Sequence, residues 1–386
     1  MRVLFASTGN LGHFLPQVPL AHAAGAAGHE VRVAAPAGFA DQVAREGLVV
    51  APFDEPSSDA MGRAFGGMAG LSMEAANELM IREIFGRLDG GAALPRLLDT
   101  VRSWRPDLVV RDPFELASLV AAEAEGIPHR SVGLCLDGLI ASTAPWFTDP
   151  AEELGRPLGL DADGLISAQR SAPSFTVLPA SFDDPPSGGR DVVRFRPGPT
   201  TDAPEGRGLP PETSDLPLVY ASLGTVAGTM PSAEQTYREL LAALASLDVR
   251  VLLTVGRALD PDRLRPWPDN AHVEQWWPQE EVLPHAVAVV GHGGFGTTAA
   301  ALAAGVPQVA VPLFALDQWF NARRLDERGL GRMVTPGEDF PDRLGTAVAA
   351  VLDDADVHAT SERVAGEMAA HPPTTSVVDR LVAPAD

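Results

Sequence analysis

The sequence predicts an α/β protein built from two doubly wound parallel-sheet domains. Three observations carry that prediction. The chain has 386 residues, more than one ordinary hydrophobic core accommodates. Short, continuously apolar runs alternate with helical patterns along the chain, as expected of parallel strands covered on both faces. After a Pro- and Gly-rich stretch, the chain repeats its opening order of apolar strand, Ser/Gly/Thr turn and helix.

The opening unit begins with Val3-Leu4-Phe5-Ala6 and the turn Ser7 to Gly12. A helical pattern over 14–27 is stopped by Gly28, and Val31 to Ala35 is the next strand. Further strands are expected at 48–52, 107–110, 129–133 and 175–178. Residues 54–91 differ: Met61, Met68, Met73 and Met80 stand among many Gly and Ala residues, a composition that suits a loop-and-helix segment against an irregular apolar partner. Residues 183–217 hold eight prolines and five glycines, with one strand candidate at 192–195. The second unit opens with Leu218 to Thr225, and strands follow at 251–255, 273–275, 287–290 and 308–311. Residues 374–382 read as a last helix. These patterns set domains at 1–200 and 218–370, a linker at 201–217, and a C-terminal helix within 371–386 that packs back on the first domain.

Composition narrows the function. A formal net charge of −22, from 29 Lys and Arg against 51 Asp and Glu, excludes the basic surface that nucleic-acid binding requires. The single cysteine, Cys135, forms no internal disulfide and suits a reducing compartment. The apolar N-terminus lacks a basic leader region, and no apolar run is long enough to span a membrane. A cytoplasmic location is the expectation.

The richest stretch runs from Val287 to Thr298. An apolar strand ends at Gly291, and His292-Gly293-Gly294-Phe295-Gly296-Thr297 leads into a helix that ends at Ala304 before Gly305. The glycines admit close backbone approach, and the free N–H groups of the helix start favour a phosphate. A glycine turn that serves strand–helix packing alone is the competing reading. Just upstream, Trp276 offers an indole face for a base, although a core tryptophan is equally ordinary. Downstream, Asp317 and Gln318 pair an acceptor with a donor for sugar hydroxyls, although Asp317 can simply cap the helix 318–328.

Together, Trp276-x-Pro278-Gln279, His292-Gly293-Gly294-x-Gly296-Thr297 and Pro312-x-x-x-x-Asp317-Gln318 resemble the donor signature of inverting, nucleotide-sugar-dependent glycosyltransferases of the GT-B fold. The likeness is greatest to bacterial macrolide and polyketide antibiotic glycosyltransferases, and it runs nearly end to end. One departure is Gly291, where that subgroup often has a second histidine. The resemblance implies two Rossmann-like domains facing across a cleft, an N-terminal one for acceptor and a C-terminal one for donor. It implies that Trp276 stacks the base, that Thr225 and His292 to Thr297 hold the diphosphate, that Asp317 and Gln318 hold the sugar, and that Gln279 belongs to the same donor site. It also implies a dTDP-sugar co-substrate, an apolar small-molecule acceptor, no required cofactor or metal, and leaves a homodimer open.

Transfer with inversion needs a base for the acceptor proton. His13 follows Gly12 at the carboxyl end of the first strand, and Asp112 ends a strand on the same sheet edge. A carboxylate on the far ring nitrogen would fix the imidazole tautomer. Both have plainer readings: His13 as a polar helix-start residue, and Asp112-Pro113-Phe114-Glu115 as a capping box. The resemblance assigns the catalytic roles to His13 and Asp112. Asp137 either lies near the acceptor or starts a turn. Alternative functions are a sugar-nucleotide epimerase or hydrolase of similar fold, and a non-catalytic nucleotide-sugar-binding auxiliary protein. A dinucleotide oxidoreductase is weaker, because Gly9-Asn10-Leu11-Gly12-His13 lacks the third spaced glycine.

Overall fold

The computed structural model describes residues 1–197, 208–209 and 215–383. The chain divides into two compact units, Met1–Pro199 with His371–Asp386, and Thr200–Ala370. The expected linker at 201–217 lies largely outside the described residues.

The first unit holds seven parallel strands: β1 (Arg2–Ala6), β2 (Glu30–Pro36), β3 (Val50–Phe53), β4 (Leu108–Arg111), β5 (His129–Val132), β6 (Ser174–Thr176) and β7 (Val192–Arg194). Their order is β3-β2-β1-β4-β5-β6-β7. The chain runs outward from β1 in one direction, then restarts on its other side at β4. That reversal is the switch point, where open parallel sheets leave a crevice at the strand carboxyl ends. Val3 and Phe5 join Val33, Ala35, Leu108 and Val110 in one apolar cluster. Val377 and Leu381, from the C-terminal helix Thr374–Val382, complete it. The same helix is tied by Thr374 Oγ1 donating to the Arg196 carbonyl at 3.1 Å.

One expectation in this unit needs correction, and a second gains detail. The helix expected over 14–27 is broken into a turn of α-helix at Leu11–Phe14, a 3₁₀ turn at Leu15–Gln17 and a helix at Val18–Ala26. Pro16 and Pro19 lack the N–H that a continuous ladder needs. The 54–91 segment is mainly helical: Ser58–Gly66 and Met73–Leu79 precede a π-helix at Met80–Asp89, which passes into the helix Gly90–Trp104. Its four methionines are all half-buried.

The second unit holds six parallel strands: β8 (Leu218–Ser222), β9 (Arg250–Thr254), β10 (Ala271–Glu274), β11 (Ala286–Gly291), β12 (Gln308–Ala310) and β13 (Gly331–Met333), in the order β10-β9-β8-β11-β12-β13. Alternate residues of β8 enter different cores: Val219 and Ala221 face one layer, Leu218 and Tyr220 the other. This is the period-2 alternation of a sheet covered on both faces. The switch point lies between β8 and β11. No described helix is long and apolar enough to cross a membrane.

Candidate functional site

In the first unit, the strands flanking the switch point deliver the two polar residues singled out above. β1 and β4 pair Ala6 with Arg111, and the Asp112 N–H donates to the Ala6 carbonyl at 2.9 Å. Asn10 caps the Leu11–Phe14 turn, its side chain accepting from Gly12 N at 2.8 Å, and this points His13 back toward β4. His13 Nδ1 then lies 2.7 Å from Asp112 Oδ2. A carboxylate oxygen accepts, so Nδ1 carries the hydrogen and Nε2 keeps a lone pair. The one-turn helix has little dipole. Asp112, rather than a helix end, orients the ring.

Asp112 is itself held. Its Oδ2 accepts from Thr8 Oγ1 at 3.3 Å, and its Oδ1 accepts from Phe114 N at 2.8 Å. The expected capping box is displaced by one turn. The helix Leu116–Glu125 is capped by Glu115, which accepts from Ala117 N and Ser118 N, while Asp112 closes the turn before it. Behind them Arg111 is completely buried, and its Nη2 donates to the carbonyl of Glu115 at 2.9 Å. Burial pushes the Glu115 carboxyl up and the Arg111 guanidinium down, with their mutual attraction opposing both shifts. The imidazole of His13 also touches aromatic rings. Its centroid is 5.4 Å from that of Phe85 and 5.7 Å from that of Phe114, and Phe147 extends the row.

Asp137 is placed differently. It begins the helix Asp137–Thr143 and is 3 % exposed, and its carboxylate pairs with the buried guanidinium of Arg190. Its N–H donates to Asp183 Oδ1 at 2.9 Å. The carboxylate thus holds chain segments together, which corresponds to the turn reading. Cys135, beside it, is buried.

In the second unit, β11 ends at Gly291 beside Ser222 of β8. The helix Phe295–Ala304 starts with Gly294 as N-cap and closes on Gly305 in the left-handed conformation. No side chain caps its N-terminus, which leaves its first N–H groups open to a ligand. The glycines have distinct tasks. A Cβ on Gly294 would lie 2.2 Å from His292 Nε2, and one on Gly224 would lie 2.6 Å from His292 Cε1. A Cβ on Gly293, at φ +79, would strike the Gln318 carbonyl, whereas Gly296 has nothing within 4 Å. His292 is therefore clamped between two glycines from two strand ends. Burial pushes its pKa down to about 4, with the Ser222 main chain opposing, so the ring is neutral near pH 7. Thr225 lies in the same loop as Gly224 and is exposed.

The remaining donor candidates divide. Trp276 is 43 % exposed, with the Arg257 guanidinium 5.6 Å from its ring centre; Trp277 is 5 % exposed and donates from Nε1 to the Gly208 carbonyl. Gln279 Nε2 donates to Thr297 Oγ1 at 3.2 Å, which ties the Trp276 segment to the glycine turn. Beneath them Tyr220 and Thr254 share a hydrogen bond at 3.0 Å. Asp317 is not the N-cap. The helix Leu316–Glu327 is capped at Ala315, and Asp317 stands half-buried in its first turn. Gln318 is buried, and its Oε1 accepts from Leu313 N and Phe314 N at 2.8 and 3.1 Å. Its amide NH2 is the polar group left to point elsewhere. Asn321, one turn on, donates to the Gly293 carbonyl at 2.8 Å. Sequence reasoning passed over Thr8, Phe85, Phe114 and Asn321, whose positions depend on partners distant in the chain.

Comparison with known proteins agrees with this architecture. Residues 22–196 match the model of the erythromycin biosynthesis protein CIII-like N-terminal domain, and residues 238–383 that of its C-terminal domain. The chain is 33 % identical to L-demethylnoviosyl transferase of Streptomyces niveus, over 99 % of this chain and 98 % of that one. It is 30 % identical to tylactone mycaminosyltransferase of Streptomyces fradiae, over 99 % and 92 %. The structure of the glycosyltransferase VinC in complex with DTDP superposes with a TM-score of 0.78 at 25 % identity, covering 99 % of this chain and 98 % of that one. Two parallel-sheet α/β units of the GT-B type, matched along almost their whole length by sugar transferases, assign the chain to the erythromycin biosynthesis protein CIII-like family of glycosyltransferases.

Proposed function

We propose that this enzyme transfers a deoxysugar, with inversion, from a dTDP-sugar to a hydroxyl of an apolar natural-product aglycone, and that His13 is the base. The observation that carries the reading is the 2.7 Å contact between His13 Nδ1 and Asp112 Oδ2, beside a row of phenylalanines. Asp112 accepts from Nδ1 and leaves Nε2 to take the acceptor's proton as its oxygen attacks the anomeric carbon. The imidazolium formed is stabilised by the same carboxylate. Phe85, partly exposed beside the His13 ring, offers the acceptor an apolar surface.

The donor half of the proposal rests on the second unit. The uncapped start of Phe295–Ala304 suits the diphosphate, and neutral His292 adds a hydrogen-bonding ring without charge. The exposed face of Trp276 suits thymine, and Asp317 and the Gln318 amide NH2 suit the sugar hydroxyls. DTDP bound by VinC favours the thymidine donor, and the demethylnoviosyl and mycaminosyl transfers named for the relatives favour a modified sugar on it. Helix and side-chain donors at the turn can support the departing diphosphate without a metal.

The test is His13→Ala with dTDP-sugars and a mixed aglycone panel, analysed by mass spectrometry. The expected outcome is a kcat lower by about 10³-fold, with the dTDP dissociation constant, from calorimetry, within about twofold of native. Transfer at the native rate would remove His13 from the mechanism. The anomeric configuration of the product, from NMR coupling constants, decides inversion separately.

A further inference from the structure

The π-helix that brings Phe85 to His13 also brings a carboxylate. Gly86 and Gly90 form its contact face against the helix Thr148–Gly155. A Cβ on Gly86 would lie 2.6 Å from Pro150 Cγ, and one on Gly90 would lie 2.9 Å from Leu154 Cδ1. Phe85 and Asp89 precede these glycines by one residue each, so they share the adjoining face. Phe85 meets the His13 ring, and Asp89 stands one turn further along, within electrostatic reach of His13, Glu115 and Glu55. A run of π-helix is rare, and such stretches recur at functional sites.

The three carboxylates here have different fates. Glu115 caps a helix, and Glu55 Oε2 accepts from Gly38 N at 2.9 Å. Among the described residues, no hydrogen bond or ion pair reaches Asp89, although it is half-buried. Burial first, then repulsion from Glu115 and Glu55, pushes its pKa up to about 7, with His13 opposing. A half-buried carboxylate that the fold leaves without a donor is a standing cost, and such costs persist where a ligand supplies the partner.

We propose that Asp89 is a specificity-determining residue of the acceptor site, its carboxylate accepting a hydrogen bond from a hydroxyl or amine that neighbours the hydroxyl deprotonated by His13. This rests on the reading of His13 as the base. The acceptor class that follows is an apolar body with two adjacent donor groups, a diol or an amino alcohol. The neighbouring charges of Glu55 and Glu115 also suit a protonated amine. The ionised carboxylate is the accepting form, so acceptor affinity rises with pH through about 7.

Two measurements test this. The first needs no acceptor. Dicyclohexylcarbodiimide, an apolar reagent for protonated carboxyls, is applied at pH 6.5 and adducts are mapped by mass spectrometry. Asp89 is expected to be modified and the enclosed Asp112 spared; modification that misses Asp89 would overturn the proposal. The second compares matched aromatic acceptors carrying one hydroxyl, two adjacent hydroxyls, or a hydroxyl beside an amine. In Asp89→Asn, KM for the dihydroxy acceptor should rise about tenfold or more, kcat should move far less, and the fall of KM between pH 6 and 8 should vanish. Equal KM values for native and variant enzyme would sink the proposal. The amine acceptor, if it is the more affected, identifies a cation as the preferred partner. Absence of any transfer by native enzyme would count against the glycosyl-transfer reading instead, and the carbodiimide result would still decide Asp89.

Discussion

At the scale of single residues, hydrogen-bond geometry separates roles that the amino acids alone leave ambiguous. Asp112→Asn keeps the shape but offers an NH2 to Nδ1 and favours the wrong tautomer. A fall in kcat of about 10³- to 10⁴-fold is expected, with little change in melting temperature, and steady-state kinetics beside thermal unfolding checks it. The adjacent tryptophans give a sharper contrast. Trp276→Ala should weaken dTDP binding by about 1–3 kcal/mol and alter stability less than Trp277→Ala, because its indole is 43 % exposed. Trp277→Ala removes a buried indole with a hydrogen bond to Gly208 and should cost about 3–5 kcal/mol of stability. Calorimetry and denaturant titration on both variants separate the two effects.

Asp89 adds a pH-dependent consequence. Its folded-state pKa, about 7, lies above the ordinary 3.8. The folded protein therefore holds this proton more tightly than the unfolded chain. Stability is lost as pH climbs between these values, and the loss is complete above about 7. Asp89→Asn should raise the melting temperature, more at pH 8 than at pH 5. His13 and Asp112 were legible in the sequence because each follows a strand that the apolar pattern reveals, Asp112 directly and His13 after a short turn. Asp89 and Phe85 were not, because packing between distant helices brings them to His13 and no local spacing records it.

At the scale of elements, the glycine turn is a clamp on His292 as well as the proposed phosphate site. Gly294→Ala and Gly224→Ala should both displace the His292 ring, so each should weaken dTDP binding and lower stability. Gly296→Ala should leave stability unchanged, since its Cβ meets nothing; any loss of dTDP binding in that variant would locate ligand at the position. His292 itself, held neutral by burial, binds a proton less readily folded than unfolded. Its contribution to stability is therefore intact above pH 6.5 and declines as pH falls toward 4. The turn was readable because strand end, glycines and helix start coincide in a short stretch. The break at Pro16 was readable in principle, but an apolar pattern running across it masked the missing N–H groups. Asp112 and Asp317 were assigned capping roles three and two residues away from the true caps, Glu115 and Ala315, since carboxylates near a helix start look alike until the backbone is seen.

At the scale of the whole molecule, the doubly wound plan repeats, and so does its use. In each unit the strands beside the switch point carry the principal polar residues: β1 and β4 in the first, β8 and β11 in the second. The C-terminal helix supplies Val377, Val378 and Leu381 to the first unit's interior. Burial of one such side chain contributes roughly 1.5–3 kcal/mol. Ending the chain at residue 370 should therefore destabilise the first unit while sparing the second, and limited proteolysis followed by mass mapping would show fragments of residues 1–199 degraded first.

That helix has a further consequence for how the protein is made. Unit Thr200–Ala370 interrupts unit Met1–Pro199 and His371–Asp386 in the chain. On the ribosome, all thirteen strands emerge before the segment that seals the first apolar cluster. Until that helix emerges, the first unit lacks Val377 and Leu381, which complete its apolar cluster. The segment bearing His13 thus precedes by more than a whole unit of chain the helix that completes the core of its own unit.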